Sequence, residues 1–179
     1  MLCVEDDLDM VVEPRLAADF IQRYKDFLLF VYDQEIAKDE DRELLQKLSL
    51  ARERYNGKRE LFDAYLDETG NSLPVIDAAI GSLDFSRWVY LKDTSRYSVF
   101  IKADETVTLA ARGLTQPIRE IFGHSGMYMK TGIVRLGAHF VCDGLITEPV
   151  VLGKHLKDQF ALLYRELKQR GAFHKSPGA

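Results

Sequence analysis

The sequence holds two cysteines, Cys3 and Cys142, among 179 residues. So few thiols cannot staple a disulfide scaffold, and free thiols suit a reducing compartment. With 12 glycines and 5 prolines the chain is neither collagen-like nor of low complexity. A basic excess is also missing. Lys and Arg number 24 against 28 Asp and Glu, a formal net charge of -4, which argues against a dedicated nucleic-acid binder. Long apolar runs are absent, the longest in the first helical segment being Phe27–Tyr32, far short of a membrane span. The opening residues carry Glu5, Asp6, Asp7 and Asp9, whereas an export signal needs a basic start and then an apolar stretch. These absences lead to the expectation of a soluble, cytoplasmic protein with no membrane or nucleic-acid partner.

What is present is ordinary globular usage, 46% apolar and 29% charged, in a length that suits one domain with a sizeable core. Charge is unevenly spread. Residues 1–70 carry 10 basic and 18 acidic side chains, and the remainder 14 and 10. The two parts can therefore attract one another, within a chain or between chains.

Pro14 suits a first helical position, and the segment to about Ala37 repeats Leu16, Phe20, Tyr24, Phe27, Leu28 and Val31 at spacings of three and four. Such an arc must be covered by the chain itself or by another copy. Asp39 is a candidate N-cap for a second helix to Tyr55, with Leu44, Leu48, Ala51 and Tyr55 inward. Asn56-Gly57 reads as a stop, so residues 40–68 are taken as two helices, although one long helix nearly fits the phase. A short helix follows from Pro74 to Ile80.

After Gly81 the period changes to two. Arg87–Lys92, Arg96–Lys102 and Glu105–Ala111 alternate and are joined by short connections, which predicts an antiparallel meander. Thr115 is placed to cap a brief helix around Pro117–Phe122. Further strands are expected at Met127–Leu136, Ala138–Cys142 and Leu145–Leu152. Asp143-Gly144 between apolar runs is the strongest hairpin signal in the chain. Pro149 marks the last strand as an edge. Lys154–Gln169 is the final helix, with Leu156, Phe160, Leu163 and Leu167 inward, and 172–179 reads as a loose tail. The expected architecture is α+β in a single domain over 1–179. N-terminal helices (about 14–80) pack on a mainly antiparallel five- or six-stranded sheet (about 86–152), followed by a C-terminal helix (154–170).

Chemistry is sparsely signalled. His139 and Cys142 have an H-x-x-C spacing, but on a strand they face opposite sides, and no zinc motif is present, so no metal site is expected. Gly153-Lys154 opens a helix as a phosphate-binding turn does, yet the remaining P-loop residues are missing; an anion near Lys154 is the most this supports. Gly123-His124-Ser125-Gly126 places a potential base and nucleophile between glycines, which makes His124 and Ser125 candidate ligand-binding residues alongside Lys154. The segment is one residue short of a nucleophile elbow and reverses its element order, so no catalytic residue and no cofactor are assigned.

Three functions are compatible with these features, in descending order of support. The first is a non-enzymatic interaction or regulatory domain that binds itself as a homodimer, or another protein. The second is a hydrolase-like enzyme acting on a small molecule through the Gly123–Gly126 loop. The third and weakest is a single-strand nucleic-acid binder that stacks bases on Trp88, Tyr90, Tyr97, Phe100, Tyr128 and Phe140.

Overall fold

The computed structural model describes residues 10–36, 41–56 and 58–178. Pro14 opens α1 (Pro14–Glu35), where its missing N–H costs no helical bond. Glu13 caps the helix, its carboxylate accepting the N–H groups of Arg15 and Leu16 at 3.0 and 2.9 Å. Those two bonds hold the Glu13 carboxyl below the usual glutamate range. The helix buries Phe20, Tyr24, Phe27, Leu28 and Val31, as their spacing requires.

Two separate helices follow, α2 (Leu44–Tyr55) and α3 (Arg59–Thr69), so the break at Asn56 is real. Asp39, the expected cap, lies outside the described residues, as do Cys3, Ala37 and Gly57. α2 turns Leu48, Ala51 and Tyr55 inward together with Arg52, and leaves Leu44 half exposed. α4 (Pro74–Gly81) completes this layer. The α1 stripe is covered from within the chain: the Phe27 ring meets those of Tyr55, Phe62 and Tyr65 at 4.8, 4.9 and 5.4 Å. Of the two covers that the helical pattern allows, the described residues thus supply the one within the chain.

The strands are β1 (Asp84–Asp93), β2 (Ser98–Lys102), β3 (Thr108–Arg112), β4 (Met127–Leu136), β5 (His139–Cys142), β6 (Thr147–Val151) and β7 (Phe173–His174). α5 (Ile118–Phe122) lies between β3 and β4, capped by Pro117 and not by Thr115. The class is α+β, with a mixed but mostly antiparallel sheet. β1, β2 and β3 form the expected meander. β4 then returns beside β1, giving the 4-1-2-3 order of a Greek key. β5 pairs antiparallel with β4 and parallel with β3, so the pairings run β1-β2-β3-β5-β4 and back to β1. The sheet is thus closed into a small five-stranded barrel.

Register and burial place Trp88, Tyr90, Phe100, Leu109, Met129, Ile133, Phe140 and Cys142 together inside the barrel. Val134, Leu136 and Val141 face outward under the N-terminal helices. Val89, Leu91, Val99 and Ile101 face outward under α6 (Lys154–Gln169). The core is therefore threefold: a barrel interior and two outer layers.

Three expectations need correction. Asp143-Gly144 is not a hairpin, because β5 and β6 do not pair with each other; the tight turn is Gly137-Ala138, between β4 and β5. The tail is not loose over its whole length, because β7 adds to β3 and Phe173 packs on Tyr97 and Tyr164 at 6.0 and 5.5 Å. In α6 the inward face is Phe160, Leu163, Tyr164 and Leu167, and Leu156 stays exposed at 46%. β6 pairs with β4 alone, as an edge strand carrying Pro149 should.

Candidate functional site

α6 carries Lys157, Ala161, Arg165 and Lys168 at i, i+4, i+8 and i+11, which sets them along one helical face. That face meets Leu91 and Lys92 of β1 across a cleft of about 430 Å³, which Asp158 and Tyr164 also line. Among the described residues no ion pair neutralises Lys157, Arg165 or Lys168. Lys92 lies over the Tyr164 ring, its Nζ 4.9 Å from the centroid. Burial raises the Tyr164 phenol, so it stays neutral. Four cations and one carboxylate converge on the cleft, a site of positive potential that favours an anionic occupant.

The Gly123–Gly126 loop borders this region. Gly126 donates its N–H to the Tyr90 carbonyl at 2.9 Å and accepts the Leu152 N–H at 2.9 Å. Its φ is +80°, and a Cβ there would collide with the Lys157 side chain. The Lys157 side chain therefore lies close against the backbone of Gly126. Lys154, the residue expected from sequence, is exposed at the first position of α6, and no hydrogen bond joins it to His124 or Ser125. His124 is exposed, and its Nδ1 lies 3.3 Å from the main-chain oxygen of Ser125. The geometry offers no aligned base and hydroxyl there.

Asp143, the acidic residue of the Asp143-Gly144 dipeptide, is committed elsewhere and does not face this loop. It accepts from Tyr24 Oη at 3.2 Å, Thr131 Oγ1 at 3.2 Å, and the N–H groups of Gly132 and Leu145 at 3.3 and 3.0 Å. The buried guanidinium of Arg52 pairs with it at 3.0 Å and stacks over Phe85, 4.3 Å from the ring centroid. Burial, and then the Asp143 charge, raise the Tyr24 phenol well above its ordinary value. Burial likewise pushes the Cys142 thiol up to about 11, with Asp143 adding to it. Neither group is a nucleophile near neutral pH. Above this centre an apolar groove of about 290 Å³ is rimmed by the exposed side chains of Ile21, Leu45 and Ile121.

Among the described residues no three His, Cys, Asp or Glu side chains converge as metal ligands would, and His139 and Cys142 alternate to opposite sides of β5. Trp88, Tyr90, Phe100 and Phe140 lie inside the barrel and present no stacking surface. Small Greek-key barrels that bind oligonucleotides use the outer face of strands 2 and 3. Here that face is covered by α6 over Val99 and Ile101. No helix among the described residues is long and apolar enough to cross a membrane. Compared with protein-family models, with curated proteins and with solved structures, the chain matches none of them.

Of the residues around this cleft, Lys92, Lys157, Arg165 and Lys168 are not among the candidates that the sequence offers. Their common face was readable from the four- and three-residue steps between positions 157, 161, 165 and 168. Lys92, on a distant strand, had no such signal.

Proposed function

We propose that this chain is a non-enzymatic interaction domain that associates with a second copy of itself, the acidic face of α3 entering the cationic α6–β1 cleft. The supporting observation is complementary charge on two helical stripes. α3 exposes Glu60, Asp63, Asp67 and Glu68, spaced for one side of the helix, and among the described residues only Asp63 of these has an ion-pair partner, Arg59 at 3.9 Å. The cleft offers Lys92, Lys157, Arg165 and Lys168. Both stripes are surface features, so their attraction is long-ranged at low salt and screened at high salt. No observation at His124 and Ser125 favours the hydrolase reading over this one.

Sedimentation across a salt series tests the proposal. The parent should sediment above 20.5 kDa at low ionic strength and approach that mass as salt rises. The variant K157E/R165E/K168E and the variant E60K/D63K/D67K should each be monomeric. Mixing the two should restore association, because each then supplies what the other lacks. A parent that stays at 20.5 kDa at every concentration and salt overturns the reading. So does an assembly that both reversals leave intact, or a cleft that binds an oligonucleotide instead.

A further inference from the structure

The barrel has an open mouth at the end where β1 begins. Inward positions there carry Leu109 of β3, Ile133 and Arg135 of β4, and Phe140 of β5, with Arg135 and Phe140 a cross-strand pair. Together with His174 and Ser176 of the C-terminal segment they line a cavity of about 430 Å³. Its inner wall is apolar and its rim is polar, the usual make-up of a small-molecule site.

The charges at the rim do not balance. Asp84 also lines the mouth, but its carboxylate is spent: Lys102 Nζ lies 2.7 Å from one oxygen, and the Ser86 hydroxyl donates to the other. Arg135 differs. Its backbone N–H is satisfied by Ser82 Oγ at 2.8 Å, while its guanidinium has no hydrogen-bond or ionic partner among the described residues. Arg135 is exposed at the mouth, and its free planar fork, next to the buried side chains of Ile133 and Phe140, suits a carboxylate held by two parallel N–H···O bonds.

We infer that this mouth binds a small monocarboxylate with a compact apolar body. The carboxylate lies on Arg135, beside the His174 ring and the Ser176 hydroxyl, and the body enters against Leu109, Ile133 and Phe140. A phosphate ester suits the site less well, since Arg135 is the one strong cation without a partner among the described lining residues, and Leu109, Ile133 and Phe140 beside it are apolar.

The chain carries its own reporter. Trp88 is the one tryptophan, fully buried inside the barrel. The Lys102 ammonium stands 5.8 Å from its ring centroid while paired to Asp84 at the mouth, so a ligand that disturbs the rim alters the field at the indole. The full chain would be titrated with phenylacetate, followed by Trp88 fluorescence and by calorimetry. The neutral 2-phenylethanol and inorganic phosphate would serve as comparisons. Saturable phenylacetate binding is expected, with both comparisons weaker and R135Q weakened by about tenfold or more. R135K, which keeps the charge and loses the fork, should fall between. Circular dichroism of each variant separates lost binding from lost folding. The inference fails if neither method detects saturable binding to the parent. It fails equally if folded R135Q binds as the parent does, or if 2-phenylethanol binds as well as the acid. None of these outcomes depends on whether the chain self-associates.

Discussion

Arg52 and Asp143 stand 91 positions apart in sequence and 3.0 Å apart in the fold, with both side chains fully buried. The pair joins α2 to the barrel wall. Arg52 Nη1 also donates to the Leu145 carbonyl, and Thr131 and Gly132 of β4 donate to the same carboxylate. One acidic side chain thus connects a helix, a strand and the turn after β5. Arg52 Nε and Nη2 have no partner among the described residues, so its cation depends on Asp143 for nearly all its compensation.

Asp143→Asn should therefore be severe. It leaves a buried cation without its counter-charge, which typically costs ~3–5 kcal/mol. Denaturant unfolding of D143N, R52M and the double variant checks this. The double variant should lose less than the sum of the two single losses; simple additivity would mean the contact is not a working pair.

Phe20→Ala removes a fully buried ring that stacks on Tyr24 at 5.2 Å. A loss of ~3–5 kcal/mol and a clear drop in Tm are expected from the cavity left behind. A variant that melts like the parent would contradict the face assigned to α1.

Cys142 should be chemically silent in the folded chain. Its thiol is fully buried and its pKa is pushed up to about 11, so thiolate is scarce at pH 8. In a C3S background a thiol-specific reagent should label Cys142 only after denaturant is added. Stoichiometric labelling of the native protein would be the contrary result.

The Glu13 cap should make part of the stability of α1 depend on pH. The folded pKa is depressed by the two N–H bonds, so the contribution is present above the unfolded glutamate value of 4.5 and fades as pH falls through the lower folded value. The Tm difference between parent and E13A should therefore be largest near neutrality and shrink in acid. A difference that stays constant down to pH 3 would show that the carboxylate is not the cap.

Much of the fold was legible in the residues. The three- and four-residue spacing in α1 and the alternation along β1 and β2 reflect burial that is local to each element, and both were read correctly. Asp143-Gly144 misled because a turn dipeptide reports only backbone permissiveness. Gly144 does adopt φ +78°, but the Asp143 side chain answers to Tyr24, Arg52 and Thr131, none of them its neighbours. Barrel closure was hidden for a similar reason: alternation says which face is buried and not which strand lies alongside. The cationic cleft was half visible, since its helical side has a period and its strand side contributes a single lysine. Arg135 had an inward phase in β4 from the start, yet an inward arginine means little until the barrel end that it lines is known.

The distance along the chain between Arg52 and Asp143 also has a consequence for synthesis. Chains grow at about 5–20 residues per second, so some 5–20 s separate the two residues as they are made. Through that interval α2 exists without the carboxylate that neutralises its inner face, and α1 without the strands it covers. Part of the sheet is completed later still, since the Thr108 N–H waits for the Ala172 carbonyl. The helical layer is thus the first part made and among the last to be secured, and the side of it that rests on Val134, Leu136 and Val141 stays uncovered until the barrel forms beneath it.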